Sequence, residues 1–151
     1  MYVYCDVMFY DSKTNETVLM KQNNELKRLE GKPLSWLNKW CLAAGSSLKG
    51  REDSFKYLCG IRQKPCILVN EVDLVLFLPT HSIHSKDCVY VQYKIINKIM
   101  TTDDNKTILL TKEGFRYELD SDSRILKKQY KRATDYLIKL HLIERKFIFI
   151  R

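Results

Sequence analysis

The chain has 151 residues, of which 45% are hydrophobic and 29% are charged, and its formal net charge is +8 at pH 7. This length suits one domain with a buried core. No apolar run reaches the roughly 18 residues that a membrane helix needs. The start, M-Y-V-Y-C-D, lacks the basic and apolar regions of a signal peptide. These features exclude a membrane-spanning segment and predict a cytoplasmic globular protein.

The positive charge is concentrated near the end of the chain. Residues 121–151 hold nine Lys or Arg against three Asp or Glu, so +6 of the +8 lies there. Such clustering predicts an anionic partner, with nucleic acid ahead of a membrane surface, whereas charge that serves only solubility would be more even. The five cysteines include no C-x-x-C pair and have apolar neighbours, which predicts reduced, buried thiols rather than disulfides.

The first third of the chain predicts a hairpin, a connector and a helix. Residues 1–10 and 15–21 are β-prone and are separated by D-S-K-T-N, which is typical of a β-hairpin. The polar stretch 23–33 contains two helix and strand breakers and predicts a connector. A helix is then expected over 34–44, with Ser35 as its N-cap and Gly45 at its end.

The middle of the chain predicts a short helix and an antiparallel meander. The helix is expected over 54–59, and Gly60 would end it. The apolar and β-branched runs that follow predict five strands, at 66–69, 72–78, 88–100, 107–111 and 115–119. The last two flank K-E-G, a hairpin turn signal.

A long amphipathic helix is predicted over 123–142, capped by Ser121 or Ser123. Apolar residues recur there at spacings of 4, 3, 4 and 3, at Leu126, Tyr130, Ala133, Leu137 and Leu140. The opposite side carries a basic stripe formed by Arg124, Lys128 and Arg132, with Lys127 and Lys131 beside it. The chain then ends K-F-I-F-I-R, which is an edge strand, an interface segment or a peptide that a partner recognises.

These elements predict an α+β fold: an antiparallel sheet or meander, two short helices near the N-terminal half and one long C-terminal helix. A single domain is expected over 1–151. Within it, 1–33 would form the N-terminal hairpin and connector, 34–142 the core and 143–151 a C-terminal tail.

The run G-S-S-L-K-G-R at 45–51 is open to two interpretations. It ends one helix at Gly45, with Ser47 capping whatever follows. Alternatively, its amides, hydroxyls and cations bind DNA phosphates, and Arg51 enters a narrow minor groove. A helix end with a serine cap does not explain why four cations cluster in this region, at Lys49, Arg51, Arg62 and Lys64.

Other chemistry has weak support. His81, His84 and Cys88 lie close in sequence, but a structural zinc site usually takes paired ligands from two segments. No G-x-S-x-G or Walker A pattern is present. We therefore expect no metal, no cofactor and no enzymatic activity. A helix-turn-helix is also not expected, because a seven-residue glycine-serine loop would separate the helices between 35 and 60.

A series of short motifs resembles the competence transcription factor ComK family over roughly 35–140. The motifs occur in order, as Cys41…Gly45-Ser46-Ser47…Gly50-Arg51, Lys64-Pro65…Ile67…Val69, Phe77…Pro79-Thr80…Ser82…Cys88 and Gly114…Glu118-Leu119…Ser123…Gln129…Arg132-Ala133. The resemblance implies a DNA-binding activator of genes for natural transformation and DNA uptake. It also implies recognition of paired A/T-rich boxes, largely through the minor groove, by a homo-oligomer.

Some members of this family are delivered to a Clp protease by an adaptor. Because the chain ends soon after the long helix, we expect the adaptor-binding tail to be missing or reduced to 147–151. The expected DNA contacts are Ser46, Ser47, Lys49, Arg51, Arg62, Lys64, Arg124, Lys128 and Arg132. The alternatives are a basic protein-interaction module, whose 147–150 edge pairs with a partner, and a shortened modulatory paralogue that does not itself activate.

Overall fold

A six-stranded antiparallel sheet forms the centre of the protein. In the computed structural model, which describes residues 4–144, its strand order is β3-β2-β1-β6-β5-β4. The strands are β1 (Val7–Asp11), β2 (Glu16–Met20), β3 (Leu26–Glu30), β4 (Ile67–Asn70), β5 (Val75–Pro79) and β6 (Val89–Gln92). Successive side chains of β4 point to opposite faces, yet Ile67 and Leu68 are both buried. Both faces of this part of the sheet are therefore covered.

Helices and a second sheet supply that cover. Helix α1 (Pro33–Ala43) packs Leu37, Trp40 and Cys41 on one face. The other face is covered by helix α3 (Ser123–Lys139) and by a three-stranded antiparallel sheet, β7 (Ile96–Thr101), β8 (Lys106–Thr111) and β9 (Arg116–Asp122). Helix α2 (Leu48–Cys59) contacts β4, α1 and α3. None of the helices described is long and apolar enough to cross a membrane.

The predicted α+β fold class and its antiparallel pairing are confirmed. The N-terminal hairpin and the hairpin of β8 and β9 form as expected. The hairpin of β1 and β2 also joins the main sheet, because β1 pairs with β6. Its residues thus extend the same sheet as β4 and β5. The assignment of one domain over 1–151 stays a prediction, and the tail beyond residue 144 lies outside the described residues.

Two strand predictions were wrong. The segment predicted as a connector contains β3, which pairs with β2 along its whole length. Its side chains are mostly exposed, and an edge strand tolerates such polar composition because only one side of it must be paired. The single strand expected over 88–100 is instead broken by a 3₁₀ turn at Tyr93–Ile95, where the chain passes from the large sheet to the small one.

The helix boundaries also differ from the predictions. Helix α1 begins at Pro33, a residue suited to the first helical position because it needs no amide partner, so Ser35 is not its N-cap. Helix α2 begins six residues earlier than expected. Asp122 rather than a serine caps α3: its side chain accepts a hydrogen bond from Arg124 N. Helix α3 ends at Lys139, three residues before the predicted end.

Candidate nucleic-acid interface

The glycine-serine segment forms the junction between α1 and α2. Gly45 has φ +98°, a left-handed conformation that ends α1. Ser47 Oγ accepts a hydrogen bond from Gly50 N at 2.9 Å and caps α2. A Cβ on Gly50 would lie 3.1 Å from that same Oγ. Residues 48–51 are therefore the first turn of a helix, and the expected seven-residue loop was wrong because the cap shortens the connection to residues 44–47.

Three of the seven predicted cations are held in ion pairs within the protein. Lys49 Nζ lies 2.8 Å from Asp53 Oδ1, one turn along α2. Arg124 Nη2 lies 2.7 Å from Asp122 Oδ2, and this hydrogen-bonded guanidinium lowers the pKa of the Asp122 carboxyl to about 2. Arg51 is paired with Glu71. Each of these cations is partly neutralised before any ligand approaches.

Arg51 differs from the other two because its side chain is mostly buried. Only 11% of the side chain is exposed, and Nη1 donates to Glu71 Oε1 at 3.0 Å, in the turn between β4 and β5. Burial raises the pKa of the Tyr136 hydroxyl, and the positive charge of the nearby Arg51 guanidinium acts against this increase. Arg51 thus connects α2 to the turn that follows β4.

The other four predicted cations, Arg62, Lys64, Lys128 and Arg132, make no ion pair with a carboxylate within residues 4–144. The first two lie in the loop between α2 and β4, and the last two lie one turn apart on α3. The structure brings this loop against α3. Gln129 Nε2 donates to Lys64 O at 2.9 Å, and Arg132 Nη1 donates to Gln129 Oε1 at 3.3 Å.

A shallow cleft of about 350 Å³ lies beside this loop. Lys56 at the C-terminal half of α2 lines it together with Arg62 and Lys64, and its opposite wall carries Ser82 and His84. Its acidic lining residue is Glu52. Lys56 could not be selected from the sequence, because its position beside the loop depends on the packing of α2 against β4. We call Lys56, Arg62, Lys64, Lys128 and Arg132 the loop–helix surface.

The backbone at Lys64 is unusual. Its φ is +50°, and it immediately precedes a proline. Left-handed backbone at a residue other than glycine costs roughly 1–3 kcal/mol, and a following proline restricts the residue before it to extended conformations. Such strain persists only where surrounding contacts hold it, and Pro65 and Cys66 are both buried. The loop is therefore held by the core on one side and by α3 on the other.

A larger cleft, of about 990 Å³, lies between the two sheets and has a different charge pattern. Its walls mix four acidic residues with three Lys or Arg, namely Asp87, Asp104, Glu118, Asp120, Lys86, Lys106 and Arg116. Lys106 is itself paired with Asp104 and Asp120. Opposite charges cancel across this cleft, so it is a poorer site for a polyanion than the loop–helix surface.

Two of the three residues considered for zinc, His81 and Cys88, have internal partners for their side chains. His81 Nδ1 and Thr80 Oγ1 are 2.9 Å apart, and Cys88 Sγ lies 3.3 Å from His81 O. No three potential ligand residues come together as a metal site within residues 4–144. All five cysteines are free, as predicted, and all but Cys59 are buried. Burial raises the pKa of the Cys66 and Cys88 thiols, although the charges of Arg132 and Lys64 act against it.

An α+β fold that brings a cationic loop against a cationic helix, with four of these cations free of ion pairs within residues 4–144, fits the class of nucleic-acid-binding proteins. A comparison with protein families matches residues 3–144 to the model described as "ComK protein". The chain therefore belongs to the ComK family, a family of competence-related transcription factors. No curated protein and no solved structure matches it.

Proposed function

We propose that this protein is a transcriptional activator of competence genes that binds paired A/T-rich DNA boxes, largely through the minor groove. It acts in the cytoplasm at the nucleoid, as a homo-oligomer. Membership of the ComK family supports the competence role. The observation that supports the DNA-binding role is the loop–helix surface, which includes four predicted cations from two distant segments. None of the four pairs with a carboxylate within residues 4–144.

The chemistry of this surface suits a phosphate backbone. Lys and Arg that contact phosphates release counterions, and this release supplies much of the affinity for DNA. Lys128 and Arg132 lie about 6 Å apart along α3, so both can face one strand of a duplex. Arg62 is exposed at the loop and is the candidate for a phosphate contact at the edge of a narrow A/T-rich minor groove, where the potential is most negative.

The remaining predicted contacts are secondary in this proposal. The Ser47 hydroxyl already caps α2, and Lys49, Arg51 and Arg124 are already paired with carboxylates. Ser46 lies next to the cap, with its hydroxyl 3.4 Å from Ser47 O. A phosphate that approaches Lys49, Arg51 or Arg124 would compete with the internal carboxylate, which lowers the gain from that contact. Control by a Clp protease adaptor stays a prediction, because residues 147–151 lie outside the described residues.

Paired charge-neutralising variants test the proposal. Arg62→Gln with Lys128→Gln removes two unpaired cations, whereas Lys49→Gln with Arg124→Gln removes two paired ones and changes the net charge equally. Binding is measured by fluorescence anisotropy on A/T-rich and G/C-rich duplexes over a range of salt concentrations. The slope of log K against log salt is negative, and each lost phosphate contact lowers its magnitude, called the salt slope below, by about 0.9. We expect a decrease of about 2 for the first variant and little change for the second. Equal losses in both, or no preference for A/T-rich DNA, would count against the assignment.

A further inference from the structure

The side-chain amide of Gln129 connects α3 to two other segments. Gln129 is 1% exposed. Its Nε2 donates to Lys64 O at 2.9 Å and to Pro79 O at 2.8 Å, and its Oε1 accepts from Arg132 Nη1 at 3.3 Å. Both amide hydrogens and the amide oxygen are therefore used, by the cationic loop, by the end of β5 and by a cation of α3.

One of these hydrogen bonds is made to the residue of the loop that has a strained backbone. Lys64 has the left-handed backbone that its own type and the following proline both disfavour. The carbonyl oxygen of Lys64 is one of the two that accept a hydrogen bond from the side-chain amide of Gln129. The backbone carbonyl of Gln129 also faces Cys66, whose Sγ lies 3.7 Å away. The loop is thus fixed to α3 on both sides of Pro65.

We propose that Gln129 is a positioning residue for DNA binding, which sets the place of the loop cations Arg62 and Lys64 relative to the helix cations Lys128 and Arg132. This inference rests on the proposed function. The two groups of cations both contribute to the affinity for one duplex only if they contact phosphates at the same time. This requires a fixed distance between the loop and the helix. Gln129 supplies the direct side-chain connection between the two groups.

The first test needs no DNA. Gln129→Met keeps the length of the side chain and removes all three hydrogen bonds. The matched control is Thr107→Val, which removes one buried hydrogen bond, from Thr107 Oγ1 to Ser121 O at 2.7 Å, in the small sheet. Alkylation of the buried Cys66 thiol, located by mass spectrometry, should become at least ten-fold faster in Gln129→Met and stay near the wild-type rate in the control. An unchanged alkylation rate in Gln129→Met would overturn the connection itself.

The second test is a double-mutant cycle on A/T-rich DNA. In the wild-type protein, Arg62→Gln should lower the salt slope by about 1. Gln129→Met should lower the salt slope by about 2, because neither loop cation is then held at its phosphate. Adding Arg62→Gln to Gln129→Met should lower the slope little further. Thr107→Val should leave the slope unchanged. A wild-type slope in Gln129→Met, or fully additive effects, would overturn positioning although DNA binding stands. If the wild-type protein shows no salt-dependent binding, the proposed function and the positioning role both fail, while the rate of Cys66 alkylation still decides whether Gln129 holds the loop.

Discussion

Replacement of Arg51 by alanine separates two roles for this residue, because they give opposite results. Breaking a fully buried ion pair costs about 3–5 kcal/mol, whereas an exposed pair contributes about 0–1 kcal/mol. The Arg51 side chain is 11% exposed, but that of Glu71 is 49% exposed. Glu71 can therefore be hydrated once its partner is gone, and we expect a cost of about 2 kcal/mol in the free energy of unfolding. For a protein of this size, such a loss lowers the melting temperature by about 4–8 °C.

Thermal and urea unfolding of the wild type, Arg51→Ala, Glu71→Ala and the double variant measures this cost. We expect a coupling energy of about 1 kcal/mol between the two side chains, because they touch directly. DNA binding measured well below the melting temperature should keep the wild-type salt slope. A melting temperature within 1 °C of wild type, together with a salt slope lower by about 1, would refute the structural role and assign Arg51 to the DNA.

Two further predictions concern the helix caps. Ser47→Ala should destabilise the protein by about 1 kcal/mol in urea unfolding, because α2 loses its N-cap, and should leave the affinity for A/T-rich DNA at a fixed salt concentration unchanged. A weaker affinity at that salt concentration would instead restore the serine as a phosphate contact. Asp122→Ala should lower the melting temperature at pH 7, because α3 loses its cap. Arg124 lowers the pKa of Asp122, so the stabilisation is present above the ordinary value of about 4 and is lost as the pH falls through about 2. Melting curves should therefore differ at pH 7 and converge near pH 2, and a difference that persists at pH 2 would contradict this explanation.

The sequence was most informative where a pattern follows from local geometry. The spacing of apolar residues predicted α3, since Leu126, Ala133 and Leu137 are all buried on one side of it. Turn chemistry predicted the hairpin of β8 and β9, and the left-handed Gly45 ends α1. It was least informative for β3, whose exposed and charged side chains give no strand pattern, because the backbone groups that pair it with β2 are the same in any sequence.

Within the candidate site, the sequence identified cations but could not rank them. Lys49 and Arg62 are both exposed lysine or arginine residues in polar stretches. What separates them is whether a carboxylate lies within reach, and for Arg51 that carboxylate is twenty residues away at Glu71. Lys56 carries no signal of its own, because its position beside Arg62 depends on how α2 packs.

The sequence by itself determined the α+β class, the amphipathic C-terminal helix, the excess of positive charge and the resemblance to the ComK family. Each follows from composition, short-range spacing or the order of motifs along the chain. Only the tertiary structure decided which cations remain unpaired and that those of the loop meet those of α3. The physical reason is that hydrogen bonds and ion pairs act over a few ångströms between segments far apart in sequence, as Gln129 does when it bonds to Lys64 and Pro79.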